Sequence, residues 1–323
     1  MINIDFERMQ RIVQNFKKKR VLVLGDLMLD RYIWGHVTRI SPEAPVPVVE
    51  VKRDTYCLGG AGNVSFNLES LGAQTLPVGT IGNDLEGNWI KKKVVESQGI
   101  FTEKKIPTII KTRIIAHHQQ IVRVDQEKKG PLSSMMEENI FNFLQQEQYD
   151  GILISDYNKG VITKSLMEKV LPYAEKKQIP VFVDPKVKNF YLFSPVTLIT
   201  PNHIEVERIV HTSCLTDSQI CKAAQKILSK ISTRYLIIKR GEQGMSVFEK
   251  GRGPLHIPAI AKEVYDVTGA GDTAIATATL ALLSGASLQE AALLANTASG
   301  VVVGKIGTAA VSPKELLTAM ASL

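Results

Sequence analysis

The chain has 323 residues, of which 44% are hydrophobic and 22% charged, and this ordinary balance excludes an extensively disordered protein. Its three cysteines form no metal-like cluster, which excludes a disulfide framework or a zinc site and favours a reducing cytoplasm. The net charge of +7 comes from scattered lysines and arginines with few aromatic residues, so we expect anionic small-molecule ligands and no nucleic acid. No apolar run reaches the length of a membrane span, so we expect no membrane partner.

The first clear signal is the apolar run 21–24, which is followed by Gly25 and Asp26. This pattern is typical of a buried parallel strand, and ligands of open α/β sheets gather beyond the carboxyl ends of such strands. Asp30 lies shortly after this strand and is therefore a candidate for holding substrate hydroxyl groups. The alternative is an aspartate that stabilises a turn.

Two segments, 31–56 and 107–125, have the aromatic and β-branched composition of strands. The first also contains a proline-rich loop, and we predict that it forms edge strands. Together the segments predict a small sheet inserted into the main domain as a lid. Because such a sheet has exposed edges, we expect a homodimer that forms through it.

A glycine-rich stretch, 58–62, lies between these segments and precedes a predicted helix that ends near Gly72. Its glycines allow the backbone at Gly60 to lie close to a polyol, and Asn63 supplies both a donor and an acceptor. A further helix is predicted over 85–98.

Two later segments repeat the pattern of an apolar strand followed by an acid and a lysine. Lys159 and Lys186 would lie just beyond these strands, where a phosphorylated ligand needs cations. The alternative is that both lysines are ordinary surface residues.

Asn202 and Glu205 follow another strand and lie one helical turn apart on the next helix. Such a pair suits magnesium-bound water near nucleotide phosphates, and the alternative is a helix cap. Further on, a strand that ends near Lys239 is followed by the glycine turn 240–244 and a second strand. This spacing predicts a hairpin.

Gly269, Ala270, Gly271 and Asp272 open a helix of small residues. The first amides of that helix have no intrahelical partners and form a cradle for an anion such as a phosphoryl group. A carboxylate is electrostatically unfavourable beside an anion, so its presence there indicates a chemical role. The obvious role is to remove a proton from an attacking hydroxyl, and the pattern therefore predicts a phosphotransferase. The alternative is an aspartate that caps an ordinary helix.

The loop 304–312, which contains Lys305 and Gly307, is predicted either to pack against an adenine or to be a helix end with its connector. The histidines show no metal-ligand spacing, so we assign no metal to them: His36, His117, His118, His203, His211 and His256.

Strands alternate with helices, which predicts a doubly wound α/β sheet, and the anion cradle lies late in the chain, which excludes a Rossmann fingerprint. No Walker loop occurs. Three ordered motifs resemble those of the ribokinase-like (PfkB) carbohydrate kinases: Gly-Gly before Asn63, Thr-Pro-Asn before Glu205, and the segment 266–272. The resemblance covers nearly the whole chain. It implies a single ribokinase-like kinase domain over 1–323 with a mostly parallel sheet, helices on both faces and a small inserted β-sheet lid.

Within that family, several segments are most similar to the heptose 7-phosphate kinases of ADP-heptose synthesis: 25–32, 39–48, 155–160, 184–186 and 304–312. The similarity implies ATP-dependent phosphorylation of D-glycero-D-manno-heptose 7-phosphate at O1, on the route to the lipopolysaccharide core, and leaves the anomer open. Many of these relatives carry a fused nucleotidyltransferase domain, which we do not expect in this chain. The alternatives are a kinase for another sugar or sugar phosphate, and a catalytically idle sensor of nucleotides or sugar phosphates.

The resemblance also implies roles for individual residues. Asp272 would be the catalytic base, and the backbone from Gly269 to Gly271 would form the anion hole. Asp266 and Thr268 resemble positions that line a monovalent-cation site, for example for K⁺, in many relatives. The remaining candidates are Asn202, Glu205, Lys239, Gly241, Gly244, Lys305 and Gly307 for ATP and Mg²⁺, and Asp30, Gly60, Asn63, Lys159 and Lys186 for the substrate.

Overall fold

The computed structural model describes residues 5–117, 119–128, 130–260, 264–305 and 309–323. His118 and Gly307, which belong to the predictions above, lie outside these residues. The described strands form two sheets, which we call the main sheet and the small sheet. The strands are β1 (Arg20–Gly25), β2 (Leu27–Ile40), β3 (Pro47–Gly60), β4 (Gln74–Gly82), β5 (Ile100–Glu103), β6 (Ile109–Ala116), β7 (Gln119–Gln126), β8 (Gly151–Ser155), β9 (Val181–Asp184), β10 (Val196–Ile199), β11 (Thr233–Lys239), β12 (Met245–Glu249) and β13 (Leu255–Ile257).

The main sheet has the strand order β13-β12-β11-β10-β9-β8-β1-β4-β5. The neighbours from β11 to β5 pair in parallel, and β12 and β13 are antiparallel. The predicted hairpin is therefore present as β11 and β12. The mostly parallel doubly wound sheet that the sequence predicts is confirmed.

Helices cover both faces of the main sheet because its central strands are apolar on both sides. In β1, Val21 and Val23 pack into one buried cluster, and Leu22 and Leu24 pack into the other. The helices are α1 (Phe6–Gln14), α2 (Ala61–Ser70), α3 (Leu85–Lys93), α4 (Ser134–Gln146), α5 (Lys164–Lys176), α6 (His203–Val210), α7 (Asp217–Leu228), α8 (Ala270–Leu283), α9 (Leu288–Val303) and α10 (Pro313–Met320). No helix in the described part of the chain is both long and apolar enough to cross a membrane.

The small sheet has the strand order β3-β2-β6-β7. β2 pairs with β3 in antiparallel orientation and with β6 in parallel orientation, so it is an interior strand. The prediction that segment 31–56 contributes only edge strands is therefore wrong for β2. The cause is the later segment 109–116, which returns alongside β2 and covers its free edge.

One helix boundary also differs from the prediction. α3 ends at Lys93 rather than at residue 98, because Val94 has an extended backbone and buries its side chain. The residues after Lys93 instead form the connection from α3 to β5, which begins at Ile100.

Candidate active site

Asp272 lies in the first turn of α8, only 5% exposed. The helix begins after Gly269, whose φ of 83° lies in the left-handed region that favours glycine. The Asp272 carboxylate does not cap its own helix, since its hydrogen bonds come from other elements: Asn63 Nδ2 donates to Oδ2 over 2.6 Å, and the Tyr157 hydroxyl donates to Oδ1 over 2.7 Å. The simple capping interpretation of this aspartate is therefore wrong.

The electrostatic surroundings raise the pKa of Asp272 to about 6. Burial is the main cause, and the negative charge of Asp184 adds to it. The hydrogen bonds from Asn63 and Tyr157 and the positive charge of Lys239 act in the opposite direction. A carboxylate with this pKa can accept a proton near neutral pH.

Asn63 is held by a chain of hydrogen bonds that joins α2 to α8. Asn67 Nδ2 donates to the Asn63 carbonyl over 2.9 Å, and Thr273 Oγ1 donates to Asn67 Oδ1 over 2.6 Å. Just before α2, Gly60 has a φ of 58°, and a Cβ there would lie 2.3 Å from the Asp26 carbonyl oxygen. A glycine at this position therefore lets the start of α2 pack closely against the end of β1.

The loop after β8 brings Tyr157 to the Asp272 carboxylate. Buried Asp26 accepts hydrogen bonds from the backbone amides of Tyr157, Lys159 and Val161, at 2.9, 3.0 and 3.0 Å. Asp26 therefore holds this loop in place, which is a role that the sequence did not reveal.

A cavity of about 980 Å³ opens beside Asp272. It is lined by the turn 269–271, by Asn202 and Lys239, and by the glycine turn 241–244 that follows β11. These predicted residues thus come together on one cavity. A Cβ on Gly244 would lie 2.0 Å from the Ile257 carbonyl oxygen, so only glycine allows the start of β12 and the end of β13 to approach in this way.

Asn202 and Glu205 form a capping box at the start of α6. The Asn202 amide donates to Glu205 Oε2 over 2.9 Å, and the Glu205 amide donates to Asn202 Oδ1 over 2.8 Å. Lys186 Nζ lies 2.5 Å from Glu205 Oε1. The capping alternative is therefore present in the structure, and Lys186 is bound to the acid of that cap.

These groups also fit a divalent cation held through water. Each oxygen of a carboxylate can accept a second hydrogen bond, so the two contacts of Glu205 leave room for metal-bound water. Asn202 lies on the cavity wall itself. The donor set suits Mg²⁺, which keeps several of its water ligands when it binds to proteins.

Three other predicted site residues form ion pairs with neighbouring side chains. Asp30 Oδ1 lies 2.5 Å from Arg113 Nη1, and the ammonium of Lys159 pairs with Glu127. Lys239 Nζ lies 2.5 Å from Asp184 Oδ1.

Lys305 lies away from the lining of the cavity. Its ammonium lies 2.7 Å from Glu315 Oε1 and donates to the Ala310 carbonyl over 2.8 Å. The structure therefore places Lys305 in contact with the start of α10. This contact agrees with the alternative that the loop 304–312 is a helix end with its connector. Asp266 Oδ1 accepts a hydrogen bond of 2.8 Å from the Thr268 amide, which shapes the turn that precedes Gly269.

Besides Asp26, four residues of this region were not predicted as site residues: Tyr157, Asp184, Lys111 and Arg113. Tyr157 and Asp184 stand in segments that carry the strand-then-acid pattern, so their positions were a usable signal. Lys111 and Arg113 belong to β6, where only the register of the small sheet brings them to the site.

The chain is similar in sequence to known kinases. A model of the family described as pfkB family carbohydrate kinase matches residues 18–315. Among curated relatives, the "Bifunctional protein HldE" of Geobacter metallireducens is 43% identical over 305 residues, which are 93% of this chain and 62% of that protein. The protein of the same name from Helicobacter pylori is 44% identical over 304 residues, which are 92% of this chain and 65% of the relative. The chain thus spans less than two thirds of the length of these relatives.

Solved structures share the fold. The ribokinase of Arabidopsis thaliana complexed with ribose and ATP aligns with a TM-score of 0.74 and 20% identity, over 94% of this chain and 98% of that one. Phosphofructokinase-2 from Escherichia coli in complex with potassium aligns with a TM-score of 0.79 and 18% identity, over the same shares. These matches confirm the predicted ribokinase-like fold. The family match over residues 18–315 shows that the chain belongs to the pfkB family of carbohydrate kinases.

Proposed function

We propose that the chain transfers the γ-phosphoryl group of ATP to the O1 hydroxyl of D-glycero-D-manno-heptose 7-phosphate and forms heptose 1,7-bisphosphate. The observation that carries the reaction type is the buried Asp272 carboxylate beside the amides of Gly269 to Gly271. The 43–44% identity to proteins named HldE supports the choice of sugar, together with the motif resemblance described above. The product would enter ADP-heptose and lipopolysaccharide core synthesis.

Asp272 acts as the general base in this proposal. Its carboxylate takes the proton of the O1 hydroxyl, and O1 forms a bond to the γ-phosphorus. The bond from that phosphorus to the bridging oxygen breaks, and ADP leaves with the electron pair. Asn63 and Tyr157 hold one oxygen each, so the carboxylate is oriented before the substrate arrives.

The first amides of α8 stabilise negative charge on the transferred group. Lys239 reaches the same place, since a Cβ on Gly271 would lie 3.3 Å from its ammonium nitrogen. The turn with Gly241 and Gly244 would lie beside the nucleotide. Mg²⁺ bound through water near Asn202 and Glu205 would neutralise phosphate charge.

We place a monovalent-cation site, for K⁺, near Asp266 and Thr268, and sugar contacts at Asp30, Gly60 and Asn63. Since ATP is a cytoplasmic metabolite, we propose that the reaction takes place in the cytoplasm.

The small sheet would act as a lid on a single kinase domain and exclude water from the phosphoryl group. We also propose that the small sheet forms a homodimer, because the sheet and its β2–β3 loop expose a group of apolar side chains to solvent: Ile40, Val46, Val51, Ile121, Val122 and Val124. Light scattering of Val124→Lys beside the wild-type chain tests this proposal. We expect the wild type to be dimeric and the variant monomeric, and a monomeric wild type would contradict the proposal.

The experiment for the function is an ADP-release assay with ATP, magnesium and four sugars: heptose 7-phosphate, fructose 6-phosphate, and the two unphosphorylated sugars. Phosphorus NMR of the product identifies the phosphorylated oxygen and the anomer. We expect an anomeric phosphate, with a much higher kcat/KM for heptose 7-phosphate than for the other three sugars. A higher kcat/KM for another sugar would contradict the proposed substrate but not the kinase chemistry, and no turnover of any sugar would favour the idle sensor.

A further inference from the structure

One face of the small sheet carries a row of cationic side chains. In the register of the sheet, Lys111 is opposite Asp30 on one side and Asp125 on the other, and Arg113 is opposite Arg123. Cross-strand partners point to the same face of a sheet. Lys111, Arg113 and Arg123 therefore share a face with Asp30, which we call the inner face.

The inner face lies toward the catalytic carboxylate. Lys111 Nζ is 5.3 Å from the ring centre of Tyr157, and the hydroxyl of that ring donates to Asp272. With ordinary covalent geometry of the phenol, the Lys111 ammonium is within about 11 Å of the carboxylate. An ammonium within that distance can reach the phosphate of a sugar whose hydroxyl lies at Asp272.

The charges on this face are not fully compensated. Arg113 pairs with Asp30, and Arg123 pairs with Asp125, but no carboxylate in the described part of the chain forms an ion pair with Lys111.

The electrostatic environment of Lys111 also favours a bound anion. Burial lowers the pKa of Lys111, and the positive charges of Lys159 and Arg123 lower it further, while Asp30 and Asp125 oppose this change. A bound dianion would stabilise the charged ammonium. The two lysines predicted from the sequence already have partners, since Lys159 pairs with Glu127 and Lys186 with Glu205.

We propose that Lys111, with Arg113 and Arg123, binds the phosphate group that the sugar already carries and thereby selects phosphorylated over unphosphorylated sugars. This inference rests on the proposed function, because it concerns the substrate of the same reaction. It moves the phosphate contacts from the strand ends of the main sheet, where the sequence predicted them, to the inner face of the small sheet.

The test is Lys111→Met, assayed with heptose 7-phosphate and with unphosphorylated heptose at saturating ATP. Loss of one charge-assisted contact should raise KM for the phosphorylated sugar by about 10- to 100-fold, with little effect on the unphosphorylated sugar. Lys111→Arg should retain most of the preference. The matched control is Lys52→Met, an exposed lysine of β3 in the same sheet, which should change neither constant.

A second readout uses inorganic phosphate as a competitor of heptose 7-phosphate. We expect it to inhibit the wild type and to inhibit Lys111→Met more weakly. If Lys111→Met does not fold, the same measurements are made on Arg123→Gln, which should fold because the Arg123 side chain is 50% exposed.

The outcomes separate this inference from the proposed function. A wild type that prefers heptose 7-phosphate, with a Lys111→Met variant that keeps the full preference, would refute the inference and leave the function intact. A wild type that prefers an unphosphorylated sugar would refute both.

Discussion

The Tyr157 hydroxyl donates a hydrogen bond of 2.7 Å to Oδ1 of Asp272 and thereby joins the loop after β8 to the first turn of α8. Asn63 binds the other oxygen, so the carboxylate cannot rotate freely. Each oxygen keeps a further lone pair for a substrate hydroxyl. The carboxylate is thus oriented by two donors from distant parts of the chain.

Replacing the proposed base, Asp272, should abolish most of the turnover. We expect Asp272→Asn to lower kcat by about two to four orders of magnitude, because the amide cannot accept the hydroxyl proton. ATP should still bind, since the amides of the turn 269–271 remain, and calorimetry measures this. Near-normal turnover in the variant would show that another group is the base.

The pH profile should report the raised pKa of Asp272. The base must be deprotonated, so kcat/KM should rise with pH through a midpoint near the value of about 6. In Tyr157→Phe the carboxylate loses a hydrogen bond that lowers its pKa, so the midpoint should move to higher pH. Tyr149→Phe is the control, because Tyr149 donates to the Leu144 carbonyl, outside the site, and should leave the midpoint unchanged.

Stability should depend on the same carboxyl group. Its pKa rises from the ordinary 3.8 to about 6 on folding, so the folded state binds more protons between these values. The free energy of unfolding therefore falls as pH rises from 3.8 to about 6, and the loss persists at neutral pH. We expect Asp272→Asn to be more stable than the wild type at pH 7 by up to about 3 kcal/mol, and this advantage to vanish near pH 4. Urea unfolding of both proteins at pH 7 and pH 4 measures this difference in stability. An equal difference at the two pH values would contradict the prediction.

The two ends of α8 offer a matched pair of glycine substitutions. Gly269 and Gly285 have φ values of 83° and 88°, so alanine should cost about 1–2 kcal/mol of stability at either position. At Gly269 the new Cβ would also lie 3.1 Å from Asn63 Nδ2, whereas at Gly285 nothing lies within 4 Å. We expect similar losses in Tm but a fall in turnover only for Gly269→Ala. Equal turnover in the two variants would mean that the turn geometry does not matter for catalysis.

The sequence alone indicated the main sheet and much of one side of the site. Apolar runs that end in an acid or glycine mark buried parallel strands, and the small residues before Asp272 mark a helix start that can face an anion. These signals are local, because they depend on backbone conformation and on burial within a single element. They led to the family and to the residues that line the cavity.

Only the tertiary structure decided which groups hold the Asp272 carboxylate and which cations share one face of the small sheet. Asn63 and Tyr157 meet Asp272 from 209 and 115 residues away, and the register of β6 against β2 and β7 places Lys111 on the inner face. Such pairings depend on which strands become neighbours and in what register, and a one-residue slip would turn each side chain to the opposite face. That choice is made by the free energy of the whole fold, so no local pattern in the sequence contains it.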